Sequence, residues 1–239
     1  MAIGVHGGVH HDVLDDIGRR IASGDPRPGA VFTLARLESE YGASRTVVRE
    51  AVRVLESIRM VASRRRVGIT VLPREHWDAF DPQLIQWNLA GPFRQQQLES
   101  LMELRVSVEP MAARLAATRA TPGQRAELLR LAETLGDLGG RGLGDTAPYL
   151  DADLAFHGTL LAASGNPLLT ALETPVHEVL SGRTNLGMTP GTPVPGTLED
   201  HLLTAQAIAA GDAEAAERHS RSHMRTVWNE IAGGPAADR

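Results

Sequence analysis

Apolar residues recur at helical spacing along nearly the whole chain. In HHDVLDDIGRRIAS, from His10 to Ser23, Val13, Leu14, Ile17 and Ile21 fall on one stripe, and Gly24 followed by DPRPG ends it. Two further helical runs follow in TLARLESEYGASRTVVREAVRVLES. Thr33 is the N-cap expected for the first, Gly42 closes it, and Ser44 caps the second. Two short helices joined by a tight glycine-containing turn form a helix-turn-helix pattern. On the second helix Val47, Ala51, Val52, Leu55 and Ile58 are expected to face inward. The pattern then changes. MVASRRRVGITVLP reads as two short strands, with Ile69, Thr70 and Val71 in the second and Arg64 to Gly68 at the turn, which is the arrangement of a wing.

The segment PREHWDAFDPQLIQWN reads as a connector entering a short helix near Pro82 to Leu89, since proline is tolerated in a first helical turn. Beyond it the spacing predicts helices over 93–118, 122–137, 147–164, 167–182, 198–211 and 212–232, separated by clusters of Gly, Pro and cap residues. Pro175 falls inside one of these runs, which predicts a kink or a shorter helix there. The Gly/Pro stretch 187–196 reads as a long loop. The predicted fold is mostly α: a winged helix-turn-helix with a small β wing over residues 1–73, a linker over 74–80, and an all-α antiparallel helical bundle over 81–239.

Charge divides the chain along the same line. Residues 1–74 hold 12 Arg against 8 Asp plus Glu, whereas residues 75–239 hold 12 against 21. A basic head on an acidic body predicts that the head meets a polyanion. All 24 basic residues are arginine, and there is no cysteine, so disulfides and thiolate metal sites are excluded. No segment reaches the length of a signal peptide's apolar core or of a membrane span, which predicts a cytoplasmic protein.

Ser44, Arg45, Thr46 and Arg49 open the second helix of the helix-turn-helix, the end that normally enters a major groove. Arg45 and Arg49 stand one turn apart there, within reach of adjacent bases. Any one of these arginines is more often a solvated helix face. Together with the wing tip Arg64, Arg65 and Arg66, they point to double-stranded DNA. In the helical body Asp153 and His157 are four apart on an otherwise apolar helix, DADLAFHGTLLAASGNP, so their side chains share a face. His201 opens a later helix and His223 lies on the last one. Four such groups from three helices can meet inside a bundle as a metal site, and His219, one turn from His223, competes for the same role.

The run DDIGRRIASGDPRPGAVFT…LESEYGASRTVVREAVRVLESIRMVASRRRVGITV resembles the winged-helix domain of GntR-family transcription regulators. The resemblance implies operator contacts by Ser44, Arg45, Thr46 and Arg49, with wing Gly68 close to the DNA backbone. The first helix of the motif departs from the family pattern at Leu34, Ala35 and Arg36, where Arg36 is the substitute phosphate contact. LMELRVSVEPMAARLAA, DADLAFHGTLLAASGNPLL and LEDHLLTAQAIAAGDAEAAERHSRSHM are similar to the FCD effector domain of the FadR subfamily. In its metal-binding members the matching positions are Asp153, His157, His201 and His223, which leaves His219 a bystander. Members that bind fatty acyl-CoA lack these ligands.

A nitrogen and oxygen ligand set suits Zn²⁺, Ni²⁺, Mn²⁺ or a similar divalent ion. On an octahedral ion two positions remain, which a carboxylate with a neighbouring hydroxyl would fill. The resemblance turns Arg105 toward this pocket, where a guanidinium would meet an effector carboxylate; the alternative is a surface salt bridge with Glu103 or Glu109. Asn166 of SGNP is either a pocket residue or a helix cap. FDPQLIQW resembles a segment of sugar-acid regulators in the subfamily. The combined expectation is a homodimeric DNA-binding regulator, a repressor released from a palindromic operator by a small carboxylic acid at a metal. The competing readings are a regulator for which the ion itself is the signal and a metallohydrolase, for which no HExxH or similar motif supplies a general base.

Overall fold

The computed structural model describes residues 9–232; His6 lies outside them, and the side chains of His10 and His11 are not described. It divides into two compact units, residues 1–97 and 98–239. In the first, α1 (Val9–Ser23) turns the stripe Val13, Leu14, Ile17 and Ile21 into the core. After β1 (Val31–Phe32), Thr33 is extended and its hydroxyl accepts from the amide of Arg36, opening α2 (Leu34–Tyr41). Gly42, at φ 59°, ends α2 in the left-handed region that only glycine enters without cost. Ser44 then accepts from the amide of Val47 and opens α3 (Arg45–Ser57). The buried stripe of α3 is Val48, Ala51, Val52 and Leu55; Val47, expected inside, sits only partly buried at its margin. The spacing that counts begins one residue later than the apolar run suggests.

β2 (Val61–Arg64) and β3 (Gly68–Val71) form the predicted wing, with Ala62 opposite Thr70 and Ser63 opposite Ile69. Residues Val31 and Phe32 add a third strand on the other side of β3, giving the antiparallel order β1-β3-β2. Two residues are too few for an alternating pattern to register in sequence.

The expected linker at 74–80 is instead part of the first unit. Trp77 is buried and its indole N–H donates to the Leu72 carbonyl at 2.9 Å. Arg74 donates to Ala22 O and Asn88 Oδ1, and its guanidinium lies 4.0 Å from the centre of the Phe93 ring. The helix α4 (Pro82–Ala90), capped by Asp81, buries Leu84 and Trp87 in the same core as α1. This segment packs with the first compact unit because its apolar side chains share one core with α1.

Trp87 lies flat on Gly18, and its indole N–H donates to Asp15 Oδ1 at 2.7 Å. A methyl group at residue 18 would stand 2.2 Å from the ring. Gly18→Ala is thus expected to push the indole out and destabilise this unit by about 1–3 kcal/mol. Tryptophan fluorescence during thermal unfolding reads this directly; an unchanged midpoint would mean that the ring relocates freely.

In the second unit α5 (Arg94–Arg119), which begins before the division, runs through Pro110 without ending. It is followed by α6 (Pro122–Gly140), α7 (Ala147–Ala163), α8 (Pro167–Thr170), α9 (Glu173–Asn185), α10 (Thr197–Ala210) and α11 (Ala213–Ala232). Thr121 and Gln124 form a reciprocal capping box at the start of α6. The run predicted over 167–182 is broken at residues 171–172, and Pro175 sits in the first turn of α9, where its missing N–H costs nothing. Small residues of α5 (Ala113, Ala116, Ala117), leucines of α6 and Phe156 and Leu160 of α7 share one core with Ala205 and Ile208 of α10 and Ala216 of α11. No helix among the described residues is long and apolar enough to cross a membrane.

Candidate functional site

Two places gather chemistry, one in each unit. In the first, Ser44, Arg45, Thr46 and Arg49 are all exposed at the start of α3, as are Arg36 on α2 and Arg64, Arg65 and Arg66 at the wing. The Arg45 side chain is 71% exposed and lies 4.0 Å from Glu38. Arg36 stands 3.8 Å from Glu40. Such cations are available to a polyanion because surface pairs this loose are worth little. Ser44 has a structural duty as well, as the cap of α3.

Arg66 adopts φ 67° to turn the wing, with the amide of Val67 donating to Arg64 O. Gly68, at φ 114°, has its own reason to be glycine. A Cβ there would lie 2.8 Å from the Phe32 carbonyl oxygen, so the close backbone approach at this position is to β1 of the same chain. That fact makes a DNA contact unnecessary to explain the residue.

In the second unit Asp153 and His157, four apart on α7, meet His201, the fifth residue of α10, and His157 and His201 meet His223 of α11. His157 Nε2 and His201 Nε2 each lie 3.4 Å from Asp153 Oδ1 and 3.5 Å from one another. All three imidazoles offer a nitrogen within 4.8 Å of the others, and all three are buried. Ligand atoms held about 2.1 Å from one ion lie about 3.0 to 3.4 Å apart along the edges of its coordination polyhedron; the contacts among Asp153, His157 and His201 match that spacing, and His223, within 4.8 Å of the two imidazoles, would have to close in on a bound ion.

Each ring is fixed from behind. His157 Nδ1 faces Glu109 Oε2 at 2.6 Å, and His201 Nδ1 donates to the Thr197 carbonyl at 2.9 Å, which leaves both Nε2 atoms turned inward. The edge of Phe156 packs on His201, with centroids 4.8 Å apart. His219 points elsewhere, to Asp200 at 3.7 Å.

Electrostatics favour a cation here. Burial opposes ionisation of Asp153, but the facing His157 and His201 imidazoles outweigh it and hold the carboxyl well below the usual range. Burial likewise opposes ionisation of Glu109, yet the Arg105 guanidinium and His157 bring it down to about 2. His223 is the opposite case. Burial, reinforced by the neighbouring His201, His157 and Arg105, pushes it well below 6.5, so it is neutral and its lone pair is free. Its Nδ1 is buried with no hydrogen-bond partner among the described residues.

Arg105 is 1% exposed, and the expected surface salt bridge with Glu109 is a buried one, at 2.5 Å. Its Nη2 donates to His157 Nε2 at 3.1 Å, a bond that an ion taking that nitrogen would displace; Nη1 has no hydrogen-bond partner among the described residues, and Arg105 lines the adjoining cavity. Asn166 does not line that cavity: its Oδ1 accepts from the Leu168 amide and caps α8. Reading the sequence for site residues missed Glu109 as the carboxylate behind His157, although its four-residue spacing from Arg105 matches that of Asp153 and His157. It also missed Arg183 and Glu230 beside the cavity, and the loop 187–196, which supplies Thr189, Pro190 and Pro193 to the wall.

Comparison with known proteins agrees with both halves. Residues 10–71 match the family model of bacterial regulatory proteins, gntR family, and residues 100–226 match the FCD domain. The HTH-type transcriptional regulator YieP of Escherichia coli (strain K12) is 29% identical over 215 residues, 90% of this chain and 91% of that protein. The galactonate operon transcriptional repressor of the same organism is 30% identical over 210 residues, 86% of this chain and 89% of that one. Among solved structures, Lar of Listeria monocytogenes superposes with a TM-score of 0.59 at 16% identity, covering 97% of this chain and all of that one, a likeness of fold alone. An exposed cationic reading head and a helical body of this pattern belong together in one lineage: the chain is a member of the GntR family of bacterial transcription regulators, with an FCD domain as its C-terminal part.

Proposed function

We propose that this regulator is a homodimeric repressor that leaves a palindromic operator when a small hydroxy acid binds a divalent metal in the FCD domain. The observation that carries the reading is the convergence of Asp153, His157, His201 and His223 beside an Arg105 guanidinium whose Nη1 has no protein partner. Asp153 and the three imidazoles would hold the ion, and Glu109 would orient His157 from behind. Once bound, the ion supplies a positive centre for chelation of a carboxylate and a neighbouring hydroxyl. Arg105 would then donate to the same carboxylate, as a guanidinium fork is shaped to do. Similarity to a galactonate operon repressor supports a sugar acid as the signal.

Control follows from linkage. An acid that binds the non-DNA-binding arrangement more tightly shifts the population toward it and weakens operator affinity by its differential affinity, no more. In a dimer, the spacing of the two α3 helices must match successive major grooves, so a change in that spacing suffices. The test uses the full-length protein on fluorescent DNA from its own promoter, titrated with sugar acids with and without EDTA. A sugar acid should release the DNA, and EDTA should abolish that release. Release by metal alone, with no acid present, would make the ion the signal. No response to any acid would sink the proposal.

A further inference from the structure

Arg183, on the last turn of α9, is 7% exposed and donates from Nη2 to Glu230 of α11 at 2.9 Å. Its Nε is buried with no hydrogen-bond partner among the described residues. Arg183 and Glu230 line the same cavity as Arg105, Asp153, His201 and His223. Two guanidinium groups on different helices thus border one space, each with a buried donor that the described residues leave unsatisfied, and Thr197, whose hydroxyl is likewise unsatisfied, borders it too. A buried N–H left unpaired is costly, and a folding unit gains nothing by keeping two of them beside one cavity. They are the complement of a ligand with acceptors at both ends.

Charge narrows the ligand further. Arg105 and Arg183 face Glu109, Asp153 and Glu230, which leaves one negative charge in excess when the imidazoles are neutral. A divalent ion turns that into one positive charge, which a single carboxylate cancels and a dicarboxylate overshoots. Thr184, Thr189 and Thr197 also line the cavity, and hydroxyls are groups that satisfy other hydroxyls rather than a second anion.

We infer that Arg183 is a specificity-determining residue: it binds a hydroxyl at the end of a polyhydroxy monocarboxylate remote from the metal, and so selects a long sugar acid over a short hydroxy acid. The inference rests on the chelation reading above. That reading places the carboxylate end, which lactate and a six-carbon aldonate share; Arg183 would read only what lactate lacks.

The experiment is calorimetric titration of the zinc-loaded full-length protein with galactonate and with lactate, repeated on Arg183→Lys, which keeps a cation beside Glu230, and on the near-isosteric Thr197→Val. Zinc affinity is followed separately by competition with a chromogenic chelator. The wild type should bind galactonate at least about tenfold more tightly than lactate, the worth of one charge-assisted hydrogen bond. Arg183→Lys should remove most of that preference, and Thr197→Val part of it, with lactate and zinc affinities unchanged. Equal affinity of the wild type for the two acids, or equal losses for both acids in Arg183→Lys, would overturn the role of Arg183 while leaving chelation intact. Failure of either acid to bind the zinc-loaded wild type would overturn the chelation reading and this inference with it.

Discussion

His223→Leu is expected to make the metal-free protein more stable while abolishing its response to metal. The wild-type imidazole is 4% exposed, its Nδ1 has no hydrogen-bond partner, and burial beside His201, His157 and Arg105 keeps it neutral. An unsatisfied buried polar atom costs on the order of 1–3 kcal/mol, and leucine fills a similar volume without that cost. The gain should grow on acidification. In the unfolded chain this histidine takes a proton below about pH 6.5, whereas in the folded chain it refuses one, so the wild type loses stability as pH falls through that value. The variant has no such group. Denaturation in EDTA at pH 7.5 and 5.5 should therefore show the variant ahead at both, by more at the lower pH. Added zinc should raise the wild-type midpoint and leave the variant's unmoved. A variant that is less stable in EDTA yet still stabilised by zinc would mean that His223 is a packing residue and not a ligand.

The same residue marks the limit of what the sequence reveals. The pair Asp153 and His157 was legible because four residues along a helix define one face, a purely local relation. That His201 and His223 share the point toward which this face turns depends on how α7, α10 and α11 pack, which the residues themselves do not state; resemblance to a family supplied it. Glu109 was harder still. A glutamate four residues from an arginine is usually a solvated pair, and only the burial of α5 turns it into the carboxylate behind the His157 imidazole. The helices and caps of the reading head were legible for local reasons, since Thr33, Gly42 and Ser44 act within a turn or two of chain. The packing of the segment after residue 73 was not legible, for a non-local reason: Trp77, Leu84 and Trp87 share a core with α1, and Trp87 bonds Asp15, some seventy residues upstream.

In the reading head the corresponding prediction separates two kinds of arginine. Arg45→Ala is expected to cost on the order of 1–3 kcal/mol of operator affinity and to relax preference at one base position, because Arg45 opens α3 at the end that would enter a groove. Its exposed side chain, with Glu38 only at 4.0 Å, contributes little to folding, so the thermal midpoint should hold. Arg65→Ala, at the exposed wing tip, should weaken binding to every sequence alike and lower the slope of log affinity against log salt by about one unit. Titrations of the operator and of a scrambled duplex at several salt concentrations distinguish these effects. A uniform loss for Arg45→Ala would make it a phosphate contact. Unchanged binding by both variants would remove α3 and the wing from the DNA interface altogether. The acid response should survive both substitutions in proportion to the affinity that remains, since neither residue lies in the unit that would hold the metal.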